Sequence, residues 1–195
     1  MTSISNLLSK KKPKVGNTLF IGIDGHGGSG KSTLATYLSN MLNAEIIHTD
    51  DFASWDNPLD WWKLLEPRVF VPIKDGVKTL TYDRSQWWEN PDQARVPVVD
   101  QLVTPVMILE GVSAIRKEFS EFISFGIFID VPSELCIQRG VERDRADGSK
   151  KSREEIEKMW LDWSDGELEY FRKQDPRNRA DIVINGVKSF ESQIS

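Results

Sequence analysis

The residues with the clearest chemical promise lie in Gly25-His26-Gly27-Gly28-Ser29-Gly30-Lys31-Ser32, which matches G-x-x-x-x-G-K-[ST] throughout. Glycines at these positions let backbone N–H groups converge on phosphate oxygens, where β-carbons would obstruct them. A helix opening at Lys31, with Thr33 in its first turn, would aim its positive dipole end at the same anion. The Lys31 ammonium suits the β- and γ-phosphates, and the Ser32 hydroxyl suits Mg²⁺. His26 reads either as a ligand contact or as a spectator. The segment points to a nucleoside triphosphate.

Further charged groups stand where strands should end. Val106-Met107-Ile108-Leu109-Glu110 closes on one acid before Gly111, placing Glu110 to orient a metal with Ser32. His48-Thr49-Asp50-Asp51-Phe52 follows another short apolar run. Ligands collect at the carboxyl ends of parallel strands, so Asp50 or Asp51 would face the phosphates and accept a proton from an attacking hydroxyl. Arg139 and Arg143 are four apart on a predicted helix and can offer two guanidiniums to phosphate oxygens. Residues 139–153 hold six cations against three acids, in a chain of net charge −5. A guanine-reading Asn-Lys-x-Asp does not occur, and the strand ending at Glu110 closes on one acid where motor ATPases usually have an acidic pair.

These groups need a scaffold, and five short runs rich in β-branched residues supply one: Thr18–Asp24, Glu45–His48, Val106–Glu110, Gly126–Val131 and Asp181–Asn185. Helical spacing links several of them. Leu34, Leu38, Met41 and Leu42 make one stripe, and Ser133–Val141, opened by Pro132 and capped by Ser133, fits a second helix. Ile156, Met159, Trp160, Trp163, Leu168 and Phe171 make a longer stripe that reads as core. The pattern predicts an α/β three-layer sandwich with a five-stranded parallel sheet.

Residues 1–17 read as a basic tail, with Lys10, Lys11, Lys12 and Lys14 and no acid, and residues 18–195 as the catalytic domain. Within it, 51–105 reads as a substrate-binding insertion carrying five of the seven tryptophans, and 142–153 as a mobile lid. Cys136 is alone, which excludes an internal disulfide and a multi-cysteine zinc site. The acidic balance argues against nucleic acid as a partner. No apolar run is long enough for a membrane span, and Met1 to Lys14 lacks a secretory signal's apolar core, so a cytoplasmic protein is expected.

Taken together, these motifs resemble the uridine kinase-like nucleoside kinases of the adenylate kinase-like P-loop group, over about Thr18 to Asn185. Ile21-Gly22-Ile23-Asp24-Gly25 is similar to their opening strand, Leu109-Glu110-Gly111 to their strand end, and Arg139 to Asp144 to their lid signature. Thr49-Asp50-Asp51-Phe52 resembles their Asp-Ser-Phe-Tyr segment, which implies that Asp50 is the base. Tyr82-Asp83 is similar to a pair whose Asp holds sugar hydroxyls, which implicates Asp83 beside Arg84. Ala53 replaces a frequent substrate-contacting Tyr, with Trp55 nearby, and the insertion carries no histidine. Residues 51–105 hold nine acids against six cations, a balance that suits a neutral polyol better than a phosphorylated acceptor. The expectation is an ATP- and Mg²⁺-dependent kinase that phosphorylates a hydroxyl, with a nucleoside as acceptor. Alternatives are a kinase of another metabolite or of a nucleoside monophosphate, or a nucleotide-binding regulator without acceptor chemistry. Whether it forms a homo-oligomer stays open.

Overall fold

The computed structural model describes residues 3–54, 57–84 and 97–194 of the 195-residue chain. Its centre is the strand β1 (Leu19–Gly25), every residue of which is buried. Such a strand must be covered on both faces, and the alternation of its side chains shows how. Phe20 joins Met107, Leu109 and Ile123 in one apolar cluster, while Ile21 and Ile23 join Ile108, Ile127 and Ile129 in another. The predicted three layers and five parallel strands are present, in the order β2-β5-β1-β6-β7. Here β2 is Glu45–His48, β5 Val106–Glu110, β6 Ile123–Asp130 and β7 Ile182–Asn185. β6 begins three residues before its apolar run was read, because Ser124 interrupts the hydrophobic pattern.

Helix α2 (Lys31–Leu42) packs Leu34, Ala35 and Leu38 onto the second cluster. The insertion covers the first. Helical turns α3 (Trp62–Leu65) and α4 (Val71–Lys74) flank a π-turn at Glu66–Phe70, and an antiparallel pair follows, β3 (Thr79–Asp83) with β4 (Pro97–Leu102). Trp61 is only 1% exposed and packs with Phe52 and Phe119, so this tryptophan is core. Trp55, Trp87 and Trp88 lie outside the described residues.

Three expectations change. Residues 4–8 of the segment expected as a basic tail form a short helix, α1 (Ile4–Leu8), whose Ile4 and Leu8 are buried in the cluster that α2 also joins. Its lysines hid two apolar anchors spaced one helical turn apart. Helix α5 (Ser133–Ala146) runs well past Val141, and Pro132 takes the cap position in place of Ser133. The segment read as a lid is therefore the last turn of α5, a short turn, and the start of α6 (Arg153–Gln174), which is closed by a Ser152–Glu155 capping box.

Ile4→Ala should lower unfolding free energy by about 2–5 kcal/mol, as removal of a buried aliphatic side chain does. A urea titration checks this; a solvated tail would give no change.

Candidate functional site

At the carboxyl ends of β1, β2 and β5 a cavity of about 850 Å³ gathers most of the predicted chemistry. Gly27, Gly28, Gly30, Lys31, Ser32 and Thr33 line it, together with Asp50, Glu110, Arg139 and Arg143. Gly28 has a φ of +77° and lies against the Cys136 carbonyl, which leaves no room for a β-carbon. Lys31 is nearly buried, and its Nζ donates to the His26 carbonyl at 2.8 Å, which keeps the ammonium folded over the loop.

The metal-binding prediction rests on two groups that do converge. Ser32 Oγ donates to Glu110 Oε1 at 3.1 Å, and His48 Nδ1 meets the same oxygen at 2.6 Å. Burial works to raise the Glu110 pKa, but the His48 hydrogen bond and the Lys31 charge outweigh it and hold the pKa below the ordinary value. That same bond raises His48 against its partial burial. A hydroxyl beside an ionised carboxylate fits Mg²⁺, which usually takes few protein ligands and completes its shell with phosphate and water.

The two adjacent acids divide. Asp51 is 9% exposed and committed: Tyr82 Oη donates to it at 3.1 Å, and Arg84 Nε lies 3.0 Å away. Asp50 instead lines the cavity with Lys31, and desolvation by the surrounding protein pushes its pKa up, partly offset by the Lys31 charge. The local cause is a single 3₁₀ turn, Thr49–Asp51, which aims consecutive carboxylates in different directions.

Other predicted residues sit elsewhere. The His26 ring turns from the cavity to Glu167 and packs edge-on against Phe171, so the ring is not among the groups lining the cavity. Gly25 and Ser29 support the loop from behind and do not line the cavity. Along β3, Tyr82 faces inward while Asp83 is exposed and is not among the residues lining the cavity. Arg84 and Tyr82 act on Asp51 rather than on open space. Trp55 is outside the described residues.

Helix α6 contributes what the sequence did not announce. Trp160, Trp163 and Met159 line the cavity, although the stripe reads as pure core. Gly140 of α5 admits the Trp160 indole, which a β-carbon there would strike. Its Nε1 donates to Asp144 at 2.8 Å, and the Arg143 guanidinium stacks over the ring at 5.3 Å. Glu167, only 2% exposed, accepts from the Gly27 amide at 2.8 Å and from Trp163 Nε1 at 2.8 Å, and meets His26 Nδ1 at 2.9 Å. Leu168, expected in the stripe, is 43% exposed. An acid spaced seven residues from Trp160 and three from Tyr170 was the available signal.

A second buried acid holds the loop from below. Asp24, fully buried, accepts from the amides of Gly25, Ser113 and Ile115 and from Tyr170 Oη at 2.6 Å. Burial pushes its pKa up against the hydrogen bonds from Tyr170, Ile115 and Gly25 and the Lys31 charge. Asp24→Asn would turn an amide NH₂ toward donors, so a stability loss of about 1–3 kcal/mol or more is expected by thermal or chemical denaturation. Glu167→Gln, which meets the same conflict of an amide facing donors, should lower the Tm and also weaken binding of an ATP analogue, measured by thermal denaturation and calorimetric titration.

No protein-family model matches the chain. It is 26% identical over 147 residues to a phosphoribulokinase of Synechocystis and 28% identical over 147 residues to a uridine kinase of Schizosaccharomyces pombe. These matches cover 66% and 64% of the chain but only 42% and 31% of those relatives. A uridine kinase of Borrelia hermsii is 25% identical over 179 residues, covering 84% of each chain. A solved structure described as a possible uridine kinase from Bacillus stearothermophilus superposes with a TM-score of 0.62 at 24% identity, covering 93% of this chain and 94% of that one. The chain is thus similar in sequence to uridine kinases and a phosphoribulokinase, and similar in fold to a possible uridine kinase.

Proposed function

We propose that the protein is an ATP-dependent small-molecule kinase that transfers the γ-phosphoryl group to an alcohol, with a nucleoside as the acceptor class. The observation that carries this reading is the shared cavity: the Asp50 carboxylate and the Lys31 ammonium line the same space as the phosphate-loop glycines. The kinase relatives support the reaction type, and their names supply the nucleoside.

In this reading the amides of the loop and Lys31 hold the triphosphate. Asp50 takes the proton from the acceptor hydroxyl as its oxygen bonds to the γ-phosphorus, and the bond to the β–γ bridging oxygen breaks, leaving ADP with the electron pair. Arg139 and Arg143 neutralise charge that spreads over the transferring group. Arg139 is held within reach by hydrogen bonds to the Gly186 carbonyl at 3.3 and 3.4 Å. Ser32 and Glu110 would hold Mg²⁺, which supplies further charge neutralisation at the phosphates when bound. Residues 142–153 would close over the site through the Arg143–Trp160 contact, and residues 51–105 would shape the acceptor side.

Asp50→Asn should reduce kcat by about 10²–10⁴-fold while leaving ATP-analogue affinity within a few-fold. A coupled ADP-release assay over nucleosides, nucleoside monophosphates, sugars and vitamin alcohols tests both the variant and the acceptor class. ATP binding without acceptor-dependent ADP release would reduce the protein to a nucleotide-binding regulator. Because Asp50 is raised, its inactive protonated form persists to higher pH than for an ordinary aspartate. The acid limb of the kcat/KM profile should therefore lie above about pH 4. A limb at or below that value would remove Asp50 as the base.

A further inference from the structure

A second cavity, of about 250 Å³, opens far from the first, against the beginning of β6. Gly25 pairs with Ile129, so Ser124 in the wall of this cavity lies about 16 Å back along the strand from the level of the phosphate loop. Its lining is strongly cationic: Lys11, Lys14, Arg116 and Arg179 face one acid, Asp181. None of these groups belongs to the proposed catalytic apparatus.

How the four cations are held decides what the cavity can do. Lys11 is neutralised by Asp181 at 2.6 Å, and the buried Arg116 by Glu118 at 3.0 Å. Lys14 and Arg179 are different. Among the described residues they are steadied by neutral oxygens: Lys14 by the Ser120 carbonyl at 2.7 Å, Arg179 by the Ile115 carbonyl at 3.0 Å and the Ser120 hydroxyl at 2.7 Å. Two positive charges are thus positioned without being compensated. In the same wall the Ser124 hydroxyl is buried and has no hydrogen-bond partner. The lysine-bearing segment reaches this place because Ile4 and Leu8 anchor it to the core, so its position is part of the fold.

We propose that this cavity is a second ligand site, which binds a phosphate group. Two donor-rich cations match the double charge of phosphate, and the planar guanidinium can offer parallel N–H donors to two of its oxygens. The volume admits a phosphate with a short appendage and is too small for a nucleotide. The ligand is inorganic phosphate or the phosphate of a small phosphomonoester.

The site can be tested by calorimetric titration of the full chain with inorganic phosphate and with glycerol 3-phosphate. The titrations are run with the first cavity saturated by a non-hydrolysable ATP analogue and magnesium, and again in Lys31→Ala, whose phosphate loop is disabled. Saturable binding with one equivalent is expected in both backgrounds, so the result does not depend on the kinase reading. Tighter binding of glycerol 3-phosphate marks a phosphomonoester site; equal or tighter binding of inorganic phosphate marks a site for the free ion. Lys14→Gln combined with Arg179→Gln should weaken binding about tenfold or more. Lys14→Glu, which changes only an exposed side chain, should do so with the Tm preserved. Absence of saturable binding of either probe, or unchanged affinity in the folded Lys14→Glu variant, would overturn the proposal.

Discussion

A glycine-rich loop that offers its main-chain amides has few side chains of its own with which to hold its shape. Here two buried carboxylates do that work. Asp24 ties the start of the loop to the turn after β5 and to α6, and Glu167 ties the Gly27 amide to the same helix. Both acids accept from several donors, which is the condition under which a buried carboxylate is tolerated. The fixed loop in turn orients α2, and α2 carries Ser32 toward Glu110. Without the two anchors, the remaining glycines would be free to sample many backbone states.

Charge is arranged around this frame in layers. Glu110 is kept ionised by His48 and Lys31, and Asp51 is held by Arg84 and Tyr82. Asp50 is pushed toward neutrality by desolvation while the Lys31 charge opposes that shift. Glu110 and Asp50 are thus shifted in opposite directions by their surroundings. Such separation lets one acid exchange a proton while the other keeps its shape.

Much of the fold was readable because its signals are local. Five apolar runs and a glycine-rich turn between strand and helix leave few topologies open, although they do not give the order of the strands in the sheet. The site was readable where a side chain acts close to its own element, as with Lys31, Ser32 and Glu110. It was unreadable where function depends on partners distant in sequence. Glu167 reads as a solvated acid on a charged helix until α6 is laid across the loop 140 residues away. Trp160 and Trp163 carry a core-like pattern because the same face of α6 is both packed and cavity-lining. Strand alternation, a geometric property, turns Asp83 outward while Tyr82 points in. The insertion was seen as irregular, since a π-turn containing Pro67 has neither helical nor strand period.

Cys136 sits directly beneath the loop, its carbonyl against Gly28. Its thiol is buried and pushed up to about 11, so the reactive thiolate is scarce at neutral pH. Alkylation of this sulfur therefore requires the helix beneath the glycines to part from them. The chain's single sulfhydryl is in effect a built-in gauge of how often that seam opens, and labelling rates would report the tightening brought about by any occupant above it.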